Sequence, residues 1–240
     1  MLSPASFFKN PSPFEDLFEG VDQVWQIISR IASAASRRIA AHRQSNLPMV
    51  SGTIQPGAYV EAGAVIVAAD AVIETGAYVK GPTIIGPGTV VRHGAYVRGD
   101  CLIGASCVVG HATELKNVLM FDHAKAPHFN YVGDSVLGCH VNLGAGTKVS
   151  NMRVMAGNVT LTVDGTTYDS GLRKFGAIVG DDTETGCNSV LNPGTLLGPG
   201  SIVYPCALCW GYYAPESLVK VRRTVFATTE IRSKKRAQTP

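Results

Sequence analysis

Aliphatic residues recur at every sixth position along most of this chain. The longest run holds only aliphatic residues: Ile73, Val79, Ile85, Val91, Val97, Ile103, Val109 and Leu115. A small residue follows four positions after all of these except the last, namely Ala77, Thr83, Thr89, Ala95, Cys101, Cys107 and Thr113. The same spacing returns between Val179 and Val203. Glycine and proline, which suit tight corners, cluster between these positions.

A period of six fits neither an amphipathic helix of about 3.6 residues per turn nor a strand that alternates about every two residues. It fits very short strands separated by corners, with the aliphatic residue in the core and the small residue at the corner. Coils of this kind stack about 4.8 Å apart, so their strands pair and bury one continuous core. The pattern therefore predicts an all-β solenoid over residues 49–222.

Two segments interrupt the period, and both are predicted to be loop insertions. They cover residues 117–131 and 152–176. Within the second, the sequence NVTLTVDGTTYDS predicts a β-hairpin with its turn at Asp164 and Gly165. Loops that project from a rigid scaffold are frequent places for binding sites, so both insertions are candidates.

Ahead of the solenoid, apolar residues recur at intervals of three and four, which predicts an amphipathic helix. Its apolar positions are Phe14, Leu17, Phe18, Val21, Val24, Trp25, Ile28 and Ile31. We expect residues 1–48 to form this helix and a linker, and we expect the helix to pack on the solenoid or on a partner subunit. Residues 223–240 are expected to form a basic C-terminal tail.

Composition narrows the function classes. The chain has 240 residues and a net charge of +3, which is too small to indicate a nucleic-acid partner. No apolar run reaches the length of about 18 residues that a membrane span needs. Six cysteines occur without a secretory leader, which favours a reduced, cytoplasmic protein. Cys206 and Cys209 form one C-x-x-C pair, without the second pair that a zinc ribbon has.

The hexads resemble those of the hexapeptide-repeat acyltransferases, in which three hexads form one triangular turn of a left-handed parallel β-helix. A sharper resemblance lies in VRGDCLIGASCVVGHATELKN, residues 97–117, and AKAPHFNYVGDSVLGCHVNLGAGTKVSN, residues 124–151. These stretches resemble the acetyltransferase domain of the bifunctional enzymes that make UDP-N-acetylglucosamine, and the resemblance resumes at residues 173–182. It implies acetyl-CoA-dependent N-acetylation of an amino-sugar phosphate or a nucleotide-linked amino sugar, by a homotrimer without a metal in its site.

The resemblance also assigns expected roles to single residues. His128 is the expected general base, and Glu114 is the carboxylate expected to orient it. The sugar and its phosphate are expected to bind Arg98, Lys116, Tyr131, Asn142, Asn151 and Lys174. Acetyl-CoA is expected to meet the backbone of Ala145 and the side chains of Cys187 and Arg222. Cys187 stands where the family has a serine, and the insertion after Asn151 is much longer than in the family.

The residue types suit this reaction. An imidazole with an ordinary pKa of about 6.5 accepts a proton from an attacking amine at neutral pH. A neighbouring carboxylate fixes the tautomer of that imidazole. Arg98 and Lys116 are eighteen positions apart, which is three hexads. They are therefore predicted to stack on one face of the solenoid, where two cations bind a phosphate.

Two other functions remain open at this stage. The first is a non-catalytic relative that keeps the fold, which would fit the missing nucleotidylyltransferase domain, the long second insertion and Cys187. A related enzyme alternative is the transfer of a longer acyl chain to a different sugar acceptor. A γ-type zinc carbonic anhydrase is also a trimeric left-handed β-helix, and its zinc needs three histidines. His123 and His128 are five positions apart, but His93 precedes His123 by thirty positions and is predicted to fall on another face.

Overall fold

A computed structural model describes residues 2–10 and 13–221. It contains one α-helix, α1 (Ile31–Gln44), and three 3₁₀ helices at Pro4–Ser6, Glu15–Leu17 and Val24–Arg30 among these residues. The strands are β1 (Thr53–Ile54), β2 (Tyr59–Val60), β3 (Val65–Val67), β4 (Val72–Ile73), β5 (Tyr78–Val79), β6 (Thr83–Ile85), β7 (Val90–Val91), β8 (Tyr96–Val97), β9 (Cys101–Ile103), β10 (Val108–His111), β11 (Glu114–Met120), β12 (Lys125–His128), β13 (Tyr131–Leu137), β14 (Asn142–Leu143), β15 (Lys148–Val149), β16 (Thr160–Val163), β17 (Thr166–Asp169), β18 (Ala177–Val179), β19 (Glu184–Thr185), β20 (Val190–Leu191), β21 (Thr195–Leu197), β22 (Ile202–Val203), β23 (Leu208–Cys209), β24 (Tyr212–Tyr213) and β25 (Leu218–Val219).

The strands stack into three parallel faces. The first face contains β1, β4, β7, β10, β12, β14, β19, β22 and β25. The second face contains β2, β5, β8, β15, β20, β23 and the first halves of β11 and β13, whereas the third contains β3, β6, β9, β18, β21, β24 and the second halves of β11 and β13. We call the turn from first to second face the first corner, the next turn the second corner, and the return to the first face the third corner. The predicted fold class, a parallel β-helix of hexapeptide repeats with an N-terminal helix, is confirmed.

The core fills the inside of these coils. All eight aliphatic residues of the run from Ile73 to Leu115 are fully buried in it. The small residues of the repeat are buried at the corners, where the threonine and cysteine side chains among them hydrogen-bond to the backbone. Thr89 shows how, because its hydroxyl donates to the Gly104 carbonyl at 2.8 Å and accepts from the Cys107 N–H at 2.9 Å. The repeat therefore determines the interior of the solenoid.

The predicted loop insertion at residues 117–131 is wrong. This segment runs through β11, β12 and the start of β13, and Leu115 pairs directly with Val132. Two features of this coil disrupt the six-residue pattern, so that the sequence did not reveal it. Ala126 occupies an inward position where other coils have a larger aliphatic side chain, and the second corner at Asn117 is one residue shorter than the corner before it.

The second insertion does leave the solenoid, as predicted. Strands β16 and β17 form an antiparallel hairpin, and its turn residues Asp164 and Gly165 have φ angles of 48° and 79°. Two successive positive φ angles define the type I′ turn that suits a tight hairpin. One side of the hairpin is buried, because Leu161 and Val163 are only 4% and 5% exposed.

The N-terminal segment differs from the single amphipathic helix predicted within residues 1–48. The backbone leaves the helical conformation at Gly20, whose φ is 63°, and α1 begins only at Ile31. The segment packs on the third face as expected, since Trp25 and Ile28 share a buried cluster with Leu102 and Leu119. No helix within the described ranges is long and apolar enough to cross a membrane. The tail predicted at 223–240 lies outside the described residues.

Candidate functional site

One column of residues runs along the first corner. Equivalent positions on successive coils are held by His93, His111, His128, Ala145 and Cys187. Backbone bonds connect the coils here, since the Gly146 N–H donates to the His128 carbonyl at 2.9 Å and the Asn188 N–H donates to the Ala145 carbonyl at 2.8 Å. The expected base and the two described residues expected to meet acetyl-CoA thus lie on three successive coils of one edge.

The three histidines of this column are not equivalent. The Nδ1 of His93 donates to the Thr75 carbonyl at 2.6 Å, and the Nδ1 of His111 donates to the His93 carbonyl at 2.8 Å. Their rings stack with centroids 5.6 Å apart. The exposed imidazole of His128 has no hydrogen bond or ring contact with any residue that the structure describes. Its ring is therefore the one that can turn toward a ligand.

The backbone around His128 is fixed by Asn130, which the sequence analysis missed. Asn130 is only 2% exposed. Its Oδ1 accepts from the His128 N–H at 3.1 Å, and its Nδ2 donates to the Gly144 carbonyl at 2.9 Å. The side chain thus ties the coil of His128 to the next one. An asparagine two residues after the expected base was the available signal.

Glu114 lies on the second face and pairs with Arg98 rather than with His128. A guanidinium nitrogen of Arg98 donates to Glu114 Oε1 at 2.8 Å. This hydrogen bond raises the pKa of the Arg98 guanidinium, with a smaller opposing effect of burial. Tyr131 is the register partner of Glu114 on the next coil. The structure therefore joins Arg98, Glu114 and Tyr131, whereas the predicted contact between Glu114 and His128 does not occur within this chain.

Asp134 organises a polar cluster at the second corner. It is 3% exposed, and its Oδ1 accepts from Lys116 Nζ and from Asn117 Nδ2, both at 3.0 Å. Its Oδ2 accepts from Asn151 Nδ2. A buried carboxylate needs such donors, because an unpaired charge is costly to bury. Asp134 was not among the predicted site residues, although it lies eighteen positions after Lys116.

Lys116 stacks on Arg98, as the spacing predicted. Their preceding residues, Leu115 and Val97, are register partners in β11 and β8. On the next coil the equivalent position is Gly133, where a Cβ atom would lie 2.6 Å from Asn151 Nδ2 and 2.9 Å from Tyr131 Oη. Glycine there lets the tyrosine and the asparagine approach each other. The second face thus brings two cations, one phenol and one amide into one region.

Asp100 completes the cluster on the coil above. Burial raises the pKa of its carboxyl group, while the charge of Lys116 acts in the opposite direction. Asp100, Asn117 and Asp134 all have left-handed backbone conformations, with φ angles of 55°, 54° and 48°. Aspartate and asparagine tolerate this conformation better than other side chains. A column of such residues at the second corner was therefore detectable in the sequence.

The remaining predicted residues lie elsewhere. Asn142 is on the first face, in register with Lys125 and Glu184, so the corner separates it from Tyr131. The insertion returns Lys174 to the second corner, because the next residue, Phe175, donates its N–H to the Asn151 carbonyl at 2.9 Å. Arg222 lies outside the described residues. One chain therefore provides the expected sugar ligands on two different faces.

The cysteines differ in their chemistry. Burial raises the thiol pKa of Cys101 and Cys107 to about 12, and that of Cys139 and Cys209 to about 11. A thiol with so high a pKa is a poor nucleophile at neutral pH, because the thiolate is the reactive form. Cys187 is exposed, in the column of His128. All six cysteines are free.

The histidines that a γ-type carbonic anhydrase would need do not meet within one chain. His123 lies at the third corner, where its ring stacks on His140 at a centroid distance of 4.7 Å. His128 and His93 lie at the first corner. Within the described part of the chain, no group of three histidine, cysteine or acidic side chains is placed to hold a metal ion.

The fold and these positions define a hexapeptide-repeat β-solenoid with a polar second face. Residues 79–168 match the family described as GMPPB C-terminal domain. A bifunctional sugar-1-phosphate nucleotidylyltransferase/acetyltransferase of Sulfurisphaera tokodaii is 37% identical over 146 residues, which cover 61% of this chain and 36% of the relative. Bifunctional protein GlmU of Methanococcus vannielii is 40% identical over 92 residues, covering 38% of this chain and 22% of the relative.

These matches confirm the resemblance to bifunctional nucleotidylyltransferase/acetyltransferases that the motifs indicated. The chain spans only about a third, or less, of the length of these two curated relatives. Among solved structures, a UDP-N-acetylglucosamine acyltransferase overlaps 65% of this chain and 66% of its own, with a TM-score of 0.33 and 11% identity.

Proposed function

We propose that this protein is an acetyl-CoA-dependent N-acetyltransferase that acts on an amino-sugar phosphate or a nucleotide-linked amino sugar. The observation that carries the proposal is the column of His128, Ala145 and Cys187 along the first corner, beside a second face with two stacked cations. The relatives that match this chain include a bifunctional sugar-1-phosphate nucleotidylyltransferase/acetyltransferase, which supports acyl transfer to a sugar phosphate.

In the proposed reaction, His128 acts as the general base. The amine nitrogen of the sugar attacks the thioester carbonyl of acetyl-CoA, and the imidazole accepts the amine proton. Attack forms the new C–N bond and a tetrahedral intermediate, whose oxyanion is stabilised by the backbone N–H of Ala145, which donates to no backbone acceptor among the described residues. The C–S bond then breaks, and the imidazolium returns its proton to the leaving thiolate. No oxidant, reductant or metal takes part.

Arg98 and Lys116 are proposed to bind the phosphate. In this chain each cation already contacts a carboxylate, Arg98 that of Glu114 and Lys116 that of Asp134. Glu114 is partly exposed, so its pair with Arg98 is the weaker restraint, as for surface ion pairs in general. A phosphate bound between the guanidinium of Arg98 and the ammonium of Lys116 would release Glu114 from its ion pair with Arg98. The free carboxylate could then support the imidazolium form of His128.

A homotrimer is proposed because the expected sugar ligands are split between faces. Tyr131 lies on the second face and Asn142 lies on the first. In a closed ring, each interface is heterologous, so the first face of one copy can meet the second face of the next. Such a contact would bring Asn142 of one copy toward Tyr131 of another.

We also propose a cytoplasmic location for this protein. The free cysteines accord with that reducing compartment.

Acetyl transfer by two histidine variants tests this proposal. The His128→Ala protein is expected to lose about 10²- to 10⁴-fold in kcat/KM with acetyl-CoA and glucosamine 1-phosphate, because it lacks the general base. The matched control is His111→Ala, one coil above at the equivalent corner position, which should retain most of its activity. Unchanged transfer by His128→Ala would contradict the assignment.

A non-catalytic role is the second candidate, and one contact favours it. Glu114 is bonded to Arg98 and leaves the His128 ring without a carboxylate partner. In that case neither acetyl-CoA nor an amino-sugar phosphate would raise the thermal stability of the protein. Neither the wild type nor any variant would transfer an acetyl group. Stabilisation by both ligands together with loss of transfer in His128→Ala would exclude this candidate.

A further inference from the structure

The second insertion and the second corner enclose a groove of about 370 Å³. Its walls come from the insertion on one side and from successive coils on the other, and they include Ser150, Met152, Arg153, Asn192 and Trp210. A second hollow of similar volume shares Thr160, Pro193 and Trp210 with the first. Trp210 therefore lines two neighbouring depressions.

This groove lies in line with the proposed phosphate site along the second corner. Strand register places Lys116, Gly133, Ser150, Asn192 and Trp210 at equivalent positions on successive coils. Asn151, which bonds to Asp134 in the polar cluster, directly precedes the groove residue Met152. At about 4.8 Å per coil, Trp210 lies about 19 Å below Lys116. An elongated ligand can therefore span both places.

Trp210 is suited to stack on a flat ring. Its side chain is 62% exposed, which is unusual for so large an apolar group, and Met152 and Met155 beside it are 49% and 70% exposed. Methionine side chains adapt their shape and make favourable contacts with aromatic rings. Exposed aromatic side chains stack on nucleobases in proteins that bind single nucleic-acid strands, whatever the base.

The insertion also brings uncompensated positive charge to this groove. Arg153 lines the groove and is half-buried, and its guanidinium donates to the Asn158 carbonyl at 2.9 Å. Arg173 is also on the insertion but is exposed and lies outside the groove wall, where its guanidinium donates to the Gly157 carbonyl at 2.8 Å. Among the described residues, neither arginine has an acidic side chain within ion-pair distance. A partly buried cation without a counter-charge favours an anionic ligand.

We propose that this groove binds the nucleoside diphosphate of a nucleotide-linked amino sugar, with the base on Trp210 and the phosphates between Arg153 and Lys116. This inference rests on the proposed acetyl transfer and selects, within it, the nucleotide-linked acceptor over a simple sugar phosphate. The other nucleotide in the reaction is that of acetyl-CoA. Its expected contacts, Ala145 and Cys187, lie at the first corner, whereas the groove lies at the second.

The two tryptophans allow a direct binding test. Trp25 is fully buried and Trp210 is exposed, so a ligand that stacks in the groove changes the fluorescence of Trp210. We expect saturable quenching by UDP, GDP or dTDP, and none by glucosamine 1-phosphate or by CoA. Trp210→Ala should abolish the fluorescence signal. Calorimetry on Arg153→Ala should show a dissociation constant for the nucleotide that is raised about tenfold or more. Tyr204→Ala, an exposed aromatic variant on the first face, should bind as the wild type does.

Several outcomes would overturn the inference. The first is quenching of fluorescence by CoA but by none of the three nucleoside diphosphates. The second is unchanged nucleotide binding, measured by calorimetry, in the Trp210→Ala protein. The third is a Trp210→Ala protein whose assembly mass changes while its nucleotide affinity stays the same. Acetyl transfer to glucosamine 1-phosphate without nucleotide binding would also overturn it and leave the proposed reaction intact. Nucleotide binding without transfer to any amino sugar would instead contradict the proposed reaction.

Discussion

The second and third faces of the solenoid arise from the same repeat but have opposite surfaces. On the third face these outward residues are apolar and fully buried in one cluster with the N-terminal segment and the hairpin: Leu102, Leu119, Val136, Ile178 and Leu196. On the second face the outward residues at equivalent places include Tyr96, Glu114, Tyr131 and Lys148, and they remain accessible. The hexad thus constrains only the inward side, and the outward side decides whether a face is packed or available for ligands.

Removal of Trp25 tests the packed face and has the largest expected effect on stability. Trp25 is fully buried, and its ring stacks on Phe175 and meets Tyr168 edge-on. Truncation of a large buried aromatic side chain costs about 3–5 kcal/mol. We expect Trp25→Ala to lose free energy of unfolding by this amount in urea titrations.

The matched control is Trp210→Ala on the accessible side. An exposed side chain contributes about 0.5 kcal/mol or less to stability. Trp25→Phe is a second comparison, because the buried indole N–H has no partner among the described residues and its loss should cost little. Equal destabilisation by Trp25→Ala and Trp210→Ala would contradict the contrast between the two faces.

Removal of Lys116 tests the accessible face. A hydrogen bond to a charged group contributes about 1.5–3 kcal/mol. We therefore expect Lys116→Ala to weaken calorimetric binding of glucosamine 1-phosphate about 10- to 150-fold. Lys220→Ala, at the far end of the first face, is the control and should bind normally. A normal dissociation constant for Lys116→Ala would remove this lysine from the site.

The hairpin turn sharpens the comparison with a smaller effect. Gly165 has a φ of 79°, and no atom within 4 Å would meet a Cβ there, so the cost of a side chain is conformational only. Left-handed backbone costs an L-residue about 1–2 kcal/mol. Gly165→Ala should lower the free energy of unfolding by that amount, and Gly165→Asn should lose less. An unchanged stability in Gly165→Ala would show that the turn relaxes.

The pH dependence of Asp100 gives the smallest expected effect. Burial raises the pKa of this carboxyl group, so the native state binds its proton more tightly than the unfolded state does. Stability is therefore lost as pH rises from the unfolded pKa through the native one. Asp100→Asn should be more stable than the wild type by about 0.5 kcal/mol at pH 7, and not at pH 3. The same difference at both pH values would contradict this account.

The repeat and the hairpin could be predicted from the sequence, because each depends on local patterns. Inward aliphatic residues recur with a fixed period, and Asp164-Gly165 suits one turn type. The coil through residues 117–131 was mistaken for a loop because Ala126 and a shorter corner disrupt the period. The single N-terminal helix predicted within residues 1–48 is interrupted at Gly20, whose φ is 63°, and the apolar residues on either side of it pack on the third face.

The candidate site was predictable only in part. The spacing of Arg98 and Lys116 determined their stacking, whereas the partners of their charges depend on side-chain conformations that spacing does not determine. Glu114 therefore bonds to Arg98 instead of His128, and Asp134 was missed. Trp210 and Arg153 become neighbours only when the insertion folds against the corner.

Ligand-induced stabilisation tests the central claim, that the accessible corner and second face bind the substrates of acetyl transfer. Thermal unfolding would be measured with acetyl-CoA, with glucosamine 1-phosphate and with a UDP-linked amino sugar, each well above its dissociation constant. A ligand at about 100 times its dissociation constant adds about 2.7 kcal/mol of stability. Because about 1 kcal/mol moves the Tm of a chain of this size by about 2–4 °C, we predict an increase of about 5–10 °C with acetyl-CoA and with one amino-sugar ligand. No increase with any of them would contradict the account.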